Sequence, residues 1–269
     1  MRVVTLASGS SGCCTLVSDG DAHILIDAGI SMRRIVRPLE ALGIHPCDVS
    51  GILITHEHSD HIGGLAMVTK HHHIPVFTAP GTARRLRASV SDIDGVLTEI
   101  SPGAAFDVGG LAVTAFETPH DAAQSVGYRV EGSAVFALAT DMGCITDDIL
   151  DGLCGADAVV IEANHDEDML MHGPYPYPLK RRILSERGHL SNADCARLAQ
   201  SLAWSGTRYI ALGHLSRENN TPALAYRTVC ASLEGLGVTV CTAPQSDMLT
   251  MEFEGVAQCS VSSSYALEK

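Results

Sequence analysis

Short apolar runs punctuated by Gly, Asp and Ser recur along most of the chain. Runs of this kind read as strands, and the pattern predicts them at 2–6, 15–18, 22–27, 51–55, 75–78, 111–116, 125–130, 134–139, 158–162, 209–212 and 238–241. The early ones come in hairpin order: Ser18-Asp19-Gly20-Asp21 is a turn sequence, and Glu131-Gly132-Ser133 is another. Elsewhere the apolar period lengthens. Ile35, Leu39 and Leu42 follow i, i+4, i+7 and mark a helix over 31–42. Further helices are read at 60–71, 81–90, 146–153, 178–187, 192–204 and 222–235. Ser191 and Asp194 have the spacing of a capping box, with Asp where Glu or Gln is usual. Hairpins together with alternating strands and helices predict mixed sheets covered by helices, an α/β layered fold. No repeat of solenoid period and no linker interrupts the pattern. One domain is therefore expected over 1–258, with a polar, Ser-rich stretch over 259–269 as a loose tail.

Composition narrows the function classes. Of 269 residues, 46% are hydrophobic and 18% charged, which is enough apolar material for a core and too little charge for disorder. The 31 acidic against 18 basic residues give a net charge of −13, which argues against a basic coat for non-specific DNA binding. A local basic groove, or metal ions supplying positive charge at one site, stays open. No apolar run is long enough for a membrane span, and the first residues lack the apolar stretch of a signal peptide. Nine scattered cysteines without a CxxC pair read as free thiols of a cytoplasmic protein.

One segment concentrates chemistry: Ile52-Leu53-Ile54-Thr55-His56-Glu57-His58-Ser59-Asp60-His61-Ile62-Gly63-Gly64. The chain has 13 histidines, yet three of them and an Asp fall within positions 56–61, directly after an apolar strand. In an extended stretch His56 and His58 share a face. Asp60 and His61, at the start of the next helix, point to an adjacent spot. Two imidazoles suit one Zn²⁺-like ion, and a carboxylate plus an imidazole suit a second. Gly63-Gly64 lets backbone pass close by. The run His71-His72-His73 reads instead as surface or helix end. Further ligands are on offer where other apolar strands end: Thr118-Pro119-His120-Asp121, Leu138-Ala139-Thr140-Asp141 and Ile210-Ala211-Leu212-Gly213-His214. Singly, each also reads as a helix cap or a turn residue.

The order Asp27, then His56, His58, Asp60 and His61, then His120, Asp141 and His214 resembles the metallo-β-lactamase-fold hydrolases over nearly the whole chain. The resemblance implies an αββα sandwich of two mixed sheets with two divalent ions (Zn, Mn or Fe) at its edge. It implies that His56, His58 and His120 hold one metal, that Asp60, His61 and His214 hold the other, and that Asp141 bridges. Asp27, in Ile24-Leu25-Ile26-Asp27-Ala28-Gly29, would orient ligand imidazoles or the early loop. Four stretches are similar to the YycJ (WalJ)-like branch, a group of nucleic-acid phosphodiesterases: Leu6-Ala7-Ser8-Gly9-Ser10-Ser11-Gly12, Glu162-Ala163-Asn164-His165-Asp166, Gly188-His189-Leu190-Ser191-Asn192, and the stretch from His214 to Pro222. The chain departs from that branch at Cys13, where Asn is usual. True β-lactamases usually carry Cys at the place of Asp141. The span from Asp141 to His214 leaves no room for the domain inserted in β-CASP nucleases, and glyoxalase-like thioesterases lack the Gly-His-Leu-Ser-Asn stretch.

These features lead to an expected dinuclear metal-dependent hydrolase, a phosphodiesterase or exonuclease acting on DNA or RNA through a metal-bridging hydroxide. The alternative is a small-molecule ester, lactone or thioester hydrolase of the same fold, which the acidic charge favours. Asp60, Asp141 and His189 are the expected catalytic residues, His189 as phosphate contact or proton donor to the leaving oxygen. Ser8, Ser10, Ser11, His165 and Lys180 are candidate substrate contacts, while Glu162 and Asn164 would orient neighbours. The cluster Lys180-Arg181-Arg182 is preferred among the basic clusters because it lies between the motifs of Asn164 and His189. Tyr175 and Tyr177 are candidates to stack on a base.

Overall fold

Ile52, Leu53 and Ile54 are all fully buried, yet they belong to different layers. Ile52 and Ile54 pack beneath helices on one side of their sheet, and Leu53 faces a second sheet on the other. A strand sandwiched in this way needs apolar residues at every position rather than at alternate ones. The structure, a computed structural model, describes residues 1–254 and 258–263.

The first sheet begins with β1 (Arg2–Ala7), β2 (Cys14–Asp19) and β3 (Ala22–Ile26), paired antiparallel. It continues in parallel through β4 (Val49–Leu53), β5 (Val76–Thr78) and β6 (Leu97–Glu99). The second sheet repeats that plan. Strands β7 (Ala105–Val108), β8 (Leu111–Glu117), β9 (Val126–Glu131) and β10 (Val135–Ala139) run antiparallel. Strands β11 (Ala158–Glu162), β12 (Tyr209–Gly213) and β13 (Thr239–Thr242) then add in parallel. The chain returns to the first sheet with β14 (Leu249–Glu254) beside β1 and β15 (Gln258–Ser263) at its edge.

Three apolar layers hold this together. Val17, Ile24, Ile26 and Leu53 meet Tyr128, Val130, Phe136 and Val160 between the sheets. Helices α1 (Met32–Ala41), α3 (Leu65–His72) and α4 (Pro80–Ser89) cover the outer face of the first sheet. Helices α5 (Asp147–Leu153), α8 (Asn192–Trp204) and α9 (Pro222–Ser232) cover that of the second. The short α2 (Ser59–Ile62), α6 (Glu167–His172) and α7 (Tyr177–Ile183) lie elsewhere. The order is helix, sheet, sheet, helix, the expected αββα sandwich.

The helix read over 60–71 is two helices. Gly63 and Gly64 separate α2 from α3, and a Cβ on Gly64 would overlap the Ile30 carbonyl. The last segment also differs from expectation. Gln258–Ser263 pairs antiparallel with β14 instead of trailing as a loose tail; residues 264–269 lie outside the described residues. Among the described residues, no helix is long and apolar enough to cross a membrane.

Candidate metal centre

The C-terminal ends of the parallel strands of both sheets open onto one edge of the sandwich. From the first sheet, β3 leads into Asp27 and β4 leads through Thr55 into His56. Asp27 is 2% exposed and stands at φ +62°, a left-handed turn that swings its carboxylate off the strand. Its Oδ1 accepts from the Thr55 amide at 2.9 Å, and its Oδ2 accepts from His61 Nδ1 at 2.7 Å. The Thr55 hydroxyl donates to Asp27 and lies 3.1 Å from His56 Nδ1. One buried carboxylate thus fixes His61 directly and His56 through Thr55. Gly29 completes this wall, because any Cβ there would overlap the Asp60 carbonyl.

The second sheet builds the opposite wall. His120 follows β8, Asp141 follows β10, Glu162 ends β11 and His214 follows β12. Asp141 and His214 also sit in the left-handed region, at φ +58° and +53°. Glu162 is fully buried, and its Oε1 accepts from His189 Nδ1 at 2.8 Å and from His214 Nδ1 at 3.0 Å. His120 Nδ1 donates to the Gly188 carbonyl at 3.1 Å. With Nδ1 spent on these acceptors, His61, His120 and His214 turn the lone pair of Nε2 inward.

The walls meet closely. Donor atoms of His56, His58 and His120 lie within 4.8 Å of one another. Asp60 Oδ2 is 3.4 Å from His214 Nε2 and 3.8 Å from His61 Nε2. Asp141 lies between the two groups: its Oδ2 is 3.2 Å from His61 Nε2 and its Oδ1 is 3.8 Å from His120 Nε2. His56 Nε2, His61 Nε2 and Asp141 Oδ2 are buried without a hydrogen-bond partner, although a lone buried polar atom costs about 1–3 kcal/mol. Orphaned lone pairs converging on one space are what a divalent cation satisfies, so the donor set fits a metal.

Electrostatics agree with an electron-rich pocket. Burial would raise the Asp141 carboxyl, but the imidazoles of His214 and His61 outweigh it and hold it well below the ordinary range. Burial likewise opposes charge on His61 and His214, and the carboxylates of Asp27 and Asp141 respectively overcome it and push both imidazoles well up. His56 goes the other way, pulled well down by burial and then by His61. Burial, and the nearby Asp141 carboxylate, would raise the Glu162 carboxyl, but His189 and His214 outweigh them and take it down to about 2.

The model of the beta-lactamase superfamily domain matches residues 22–214. The chain belongs to the beta-lactamase superfamily. Within it, the chain is 37% identical over 237 residues to Exodeoxyribonuclease YycJ of Bacillus anthracis, covering 87% of this chain and 90% of that protein. It is 36% identical over 241 residues to Exodeoxyribonuclease WalJ of Streptococcus pneumoniae, with the same coverage of each. Among solved structures, the metallo-beta-lactamase fold protein YhfI of Bacillus subtilis superposes with a TM-score of 0.72 at 15% identity, covering 92% of this chain and 99% of that one.

The other residues read from sequence divide in two on this superfamily frame. Asn164 donates to the His214 carbonyl at 2.9 Å. Ser8 is buried; its hydroxyl accepts from the His214 amide at 2.9 Å and its own amide is spent on Pro244, so it holds a wall rather than facing a substrate. Ser10 and Ser11 are exposed, and Ser11 accepts from Arg217 at 2.8 Å. His165 is 1% exposed with neither ring nitrogen hydrogen-bonded, buried rather than lining an open surface. In the Lys180-Arg181-Arg182 cluster, the Lys180 ammonium donates to the Met171 and Gly173 carbonyls at 2.7 and 2.8 Å and ties α6 to α7. The cation that reaches the centre from that cluster is Arg182, paired with Asp121 beside His120. Tyr177 is exposed, at the start of α7.

Three contributors escaped the sequence reading. Thr55 relays Asp27 to His56, and its position just before the His motif was the available signal. Arg187 donates to the His120 carbonyl at 2.6 and 2.9 Å, and Arg217 reaches the loop at Ser11; isolated arginines carry no local signature.

Proposed function

We propose that this chain is a metal-dependent exodeoxyribonuclease that hydrolyses phosphodiester bonds at DNA ends. The observation that supports it is the conjunction of a complete His/Asp donor set with 37% identity, over 87% of the chain, to a protein named as an exodeoxyribonuclease. His56, His58 and His120 would hold one cation, Asp60, His61 and His214 a second, with Asp141 between them. Imidazole and carboxylate donors accept Zn²⁺, Mn²⁺ or Fe²⁺. Bound there, the cations supply Lewis-acid charge that activates water and neutralises charge developing on the phosphoryl oxygens.

The chain's own residues account for the remaining steps. Burial works against charge on His189, but the Glu162 carboxylate outweighs it and keeps the imidazole protonated to higher pH than usual. Its ring is 22% exposed and its Nδ1 is held by Glu162, which leaves Nε2–H to donate to the leaving oxygen. Arg182 and Arg217 are exposed, one beside His120 and the other at Ser11, and follow the phosphates of the strand. Local guanidinium groups and bound cations offset the overall charge of −13 where DNA lies.

The test is a panel. Protein loaded with Zn²⁺ or Mn²⁺ is given 5′-phosphorylated single- and double-stranded DNA, RNA, a chromogenic phosphodiester and a thioester. Stepwise release of nucleotides from DNA ends is expected. Turnover of the thioester with DNA left intact would replace this reading with the small-molecule hydrolase.

A further inference from the structure

Cys13 lies at the end of the Ser/Gly loop, and its backbone is tied to both neighbours of the metal centre. Its amide donates to the Asp60 carbonyl at 2.7 Å, and its carbonyl accepts from the Gly29 amide at 2.8 Å. The side chain is 7% exposed, and donor atoms of Cys13, His61 and His214 all lie within 4.8 Å of one another. In a tetrahedral zinc site, sulfur and nitrogen ligands stand about 3.5 Å apart, so a small closure brings these three onto one ion. His61 and His214 are 0% and 2% exposed, and His61 Nε2 has no hydrogen-bond partner. The contacts that Cys13 Sγ does make, to the Gly9 amide at 3.4 Å and its carbonyl at 3.6 Å, are long and weak. Cys14 differs: it is fully buried in the apolar layer beneath α1 and α3 and takes no part in the cluster.

We propose that Cys13 Sγ is an additional ligand to the cation held by Asp60, His61 and His214, and that it selects a soft ion there. On binding, the thiol proton leaves to solvent and the sulfur lone pair forms the bond to the ion. Thiolate favours Zn²⁺ over Mn²⁺, whereas carboxylate and imidazole alone accept either. Apart from the shared Asp141 carboxylate, the two positions of the centre are therefore unlike: one is all nitrogen, the other mixes sulfur, nitrogen and oxygen. This inference rests on the reading of the pocket as a dinuclear metal centre.

Cobalt substitution tests it without turnover. Full-length protein loaded with Co²⁺ should bind two ions and show a near-ultraviolet sulfur-to-cobalt charge-transfer band. Cys13→Ser and Cys13→Asn should lose the band while Cys14→Ala keeps it. Zn²⁺ affinity of one position should fall at least about tenfold in both Cys13 variants, and the preference for Zn²⁺ over Mn²⁺ there should shrink with it. Circular dichroism of the Cys13 variants checks that they fold. Two cobalt ions bound without the band, or a band that survives in folded Cys13→Ser, overturns the assignment of Cys13 alone. Failure of the wild-type chain to bind any cobalt overturns the metal centre beneath it.

Discussion

The two walls of the centre use one device in two forms. Each places a buried carboxylate where a parallel strand ends, Asp27 after β3 and Glu162 at the end of β11, and each carboxylate fixes two imidazoles. Asp27 grips His61 directly and reaches His56 through the Thr55 hydroxyl. Glu162 grips His189 and His214 with a single oxygen, while its other oxygen accepts from the amides of Met142 and Leu190. The first wall is a relay and the second is a fork. A relay can be cut at its middle without touching the carboxylate. A fork cannot, and it joins the His214 imidazole to the imidazole proposed as proton donor.

Asp141 stands in the second wall but reaches His61 of the first at 3.2 Å, so its removal should erase the comparison altogether. Asp141→Ala is expected to lose one or both metals and nearly all hydrolysis, as read by elemental analysis beside a nuclease assay. Unchanged metal content and activity would remove its bridging place. Glu162→Gln and Asp27→Asn come next. Each should weaken metal retention by about 10–100-fold, but only Glu162→Gln should also shift the pH dependence of turnover, since His189 loses the charge that holds its proton. Matching pH profiles for the two variants would sink the distinction between fork and relay.

Glu162 carries a stability signature as well. Its carboxyl titrates near 2 in the fold against an ordinary 4.5, so its charge stabilises the metal-free protein fully above the ordinary range. That contribution is lost as the pH falls towards 2. Denaturant midpoints of metal-free Glu162→Gln should fall less steeply than those of the parent over that window. The smallest effect belongs to Thr55→Val, which keeps the amide contact to Asp27 and removes the hydroxyl. A loss of about tenfold in metal affinity is expected at most, and a loss equal to that of Asp27→Asn would show that the relay carries everything.

The walls also differ in how readable they are. His56, His58, Asp60 and His61 fall within six positions where β4 passes into α2, so spacing and composition expose them together. His120, Asp141 and His214 read singly as caps or turn residues; the parallel register of β10, β11 and β12 unites Asp141 and His214, and the antiparallel pairing of β8, β9 and β10 adds His120, both long-range properties. The layered fold was legible in its longer strands because two-sided burial demands unbroken apolar runs. Strand β7 was not, since Ala105, Phe106 and Asp107 are exposed or half-exposed and leave no such run. Helix α6 was missed despite the Asp166 cap on the Met169 amide, because six residues are too few to show a helical period. Lys180 and Arg182 show a different obstacle: a long cation's destination is decided by whatever carbonyl or carboxylate the fold brings near, and no local pattern records that.

The backbone at the rim has its own consequence. Asp27, Asp141 and His214 hold left-handed conformations, one at the first sheet and two at the second. Non-glycine residues pay of order 1–3 kcal/mol for such conformations, so conformational cost is banked where the sheets part. An ion held there would offset it, and by mass action the melting temperature should then climb with free cation concentration. The ion would act as a rivet for the scaffold as much as a reagent.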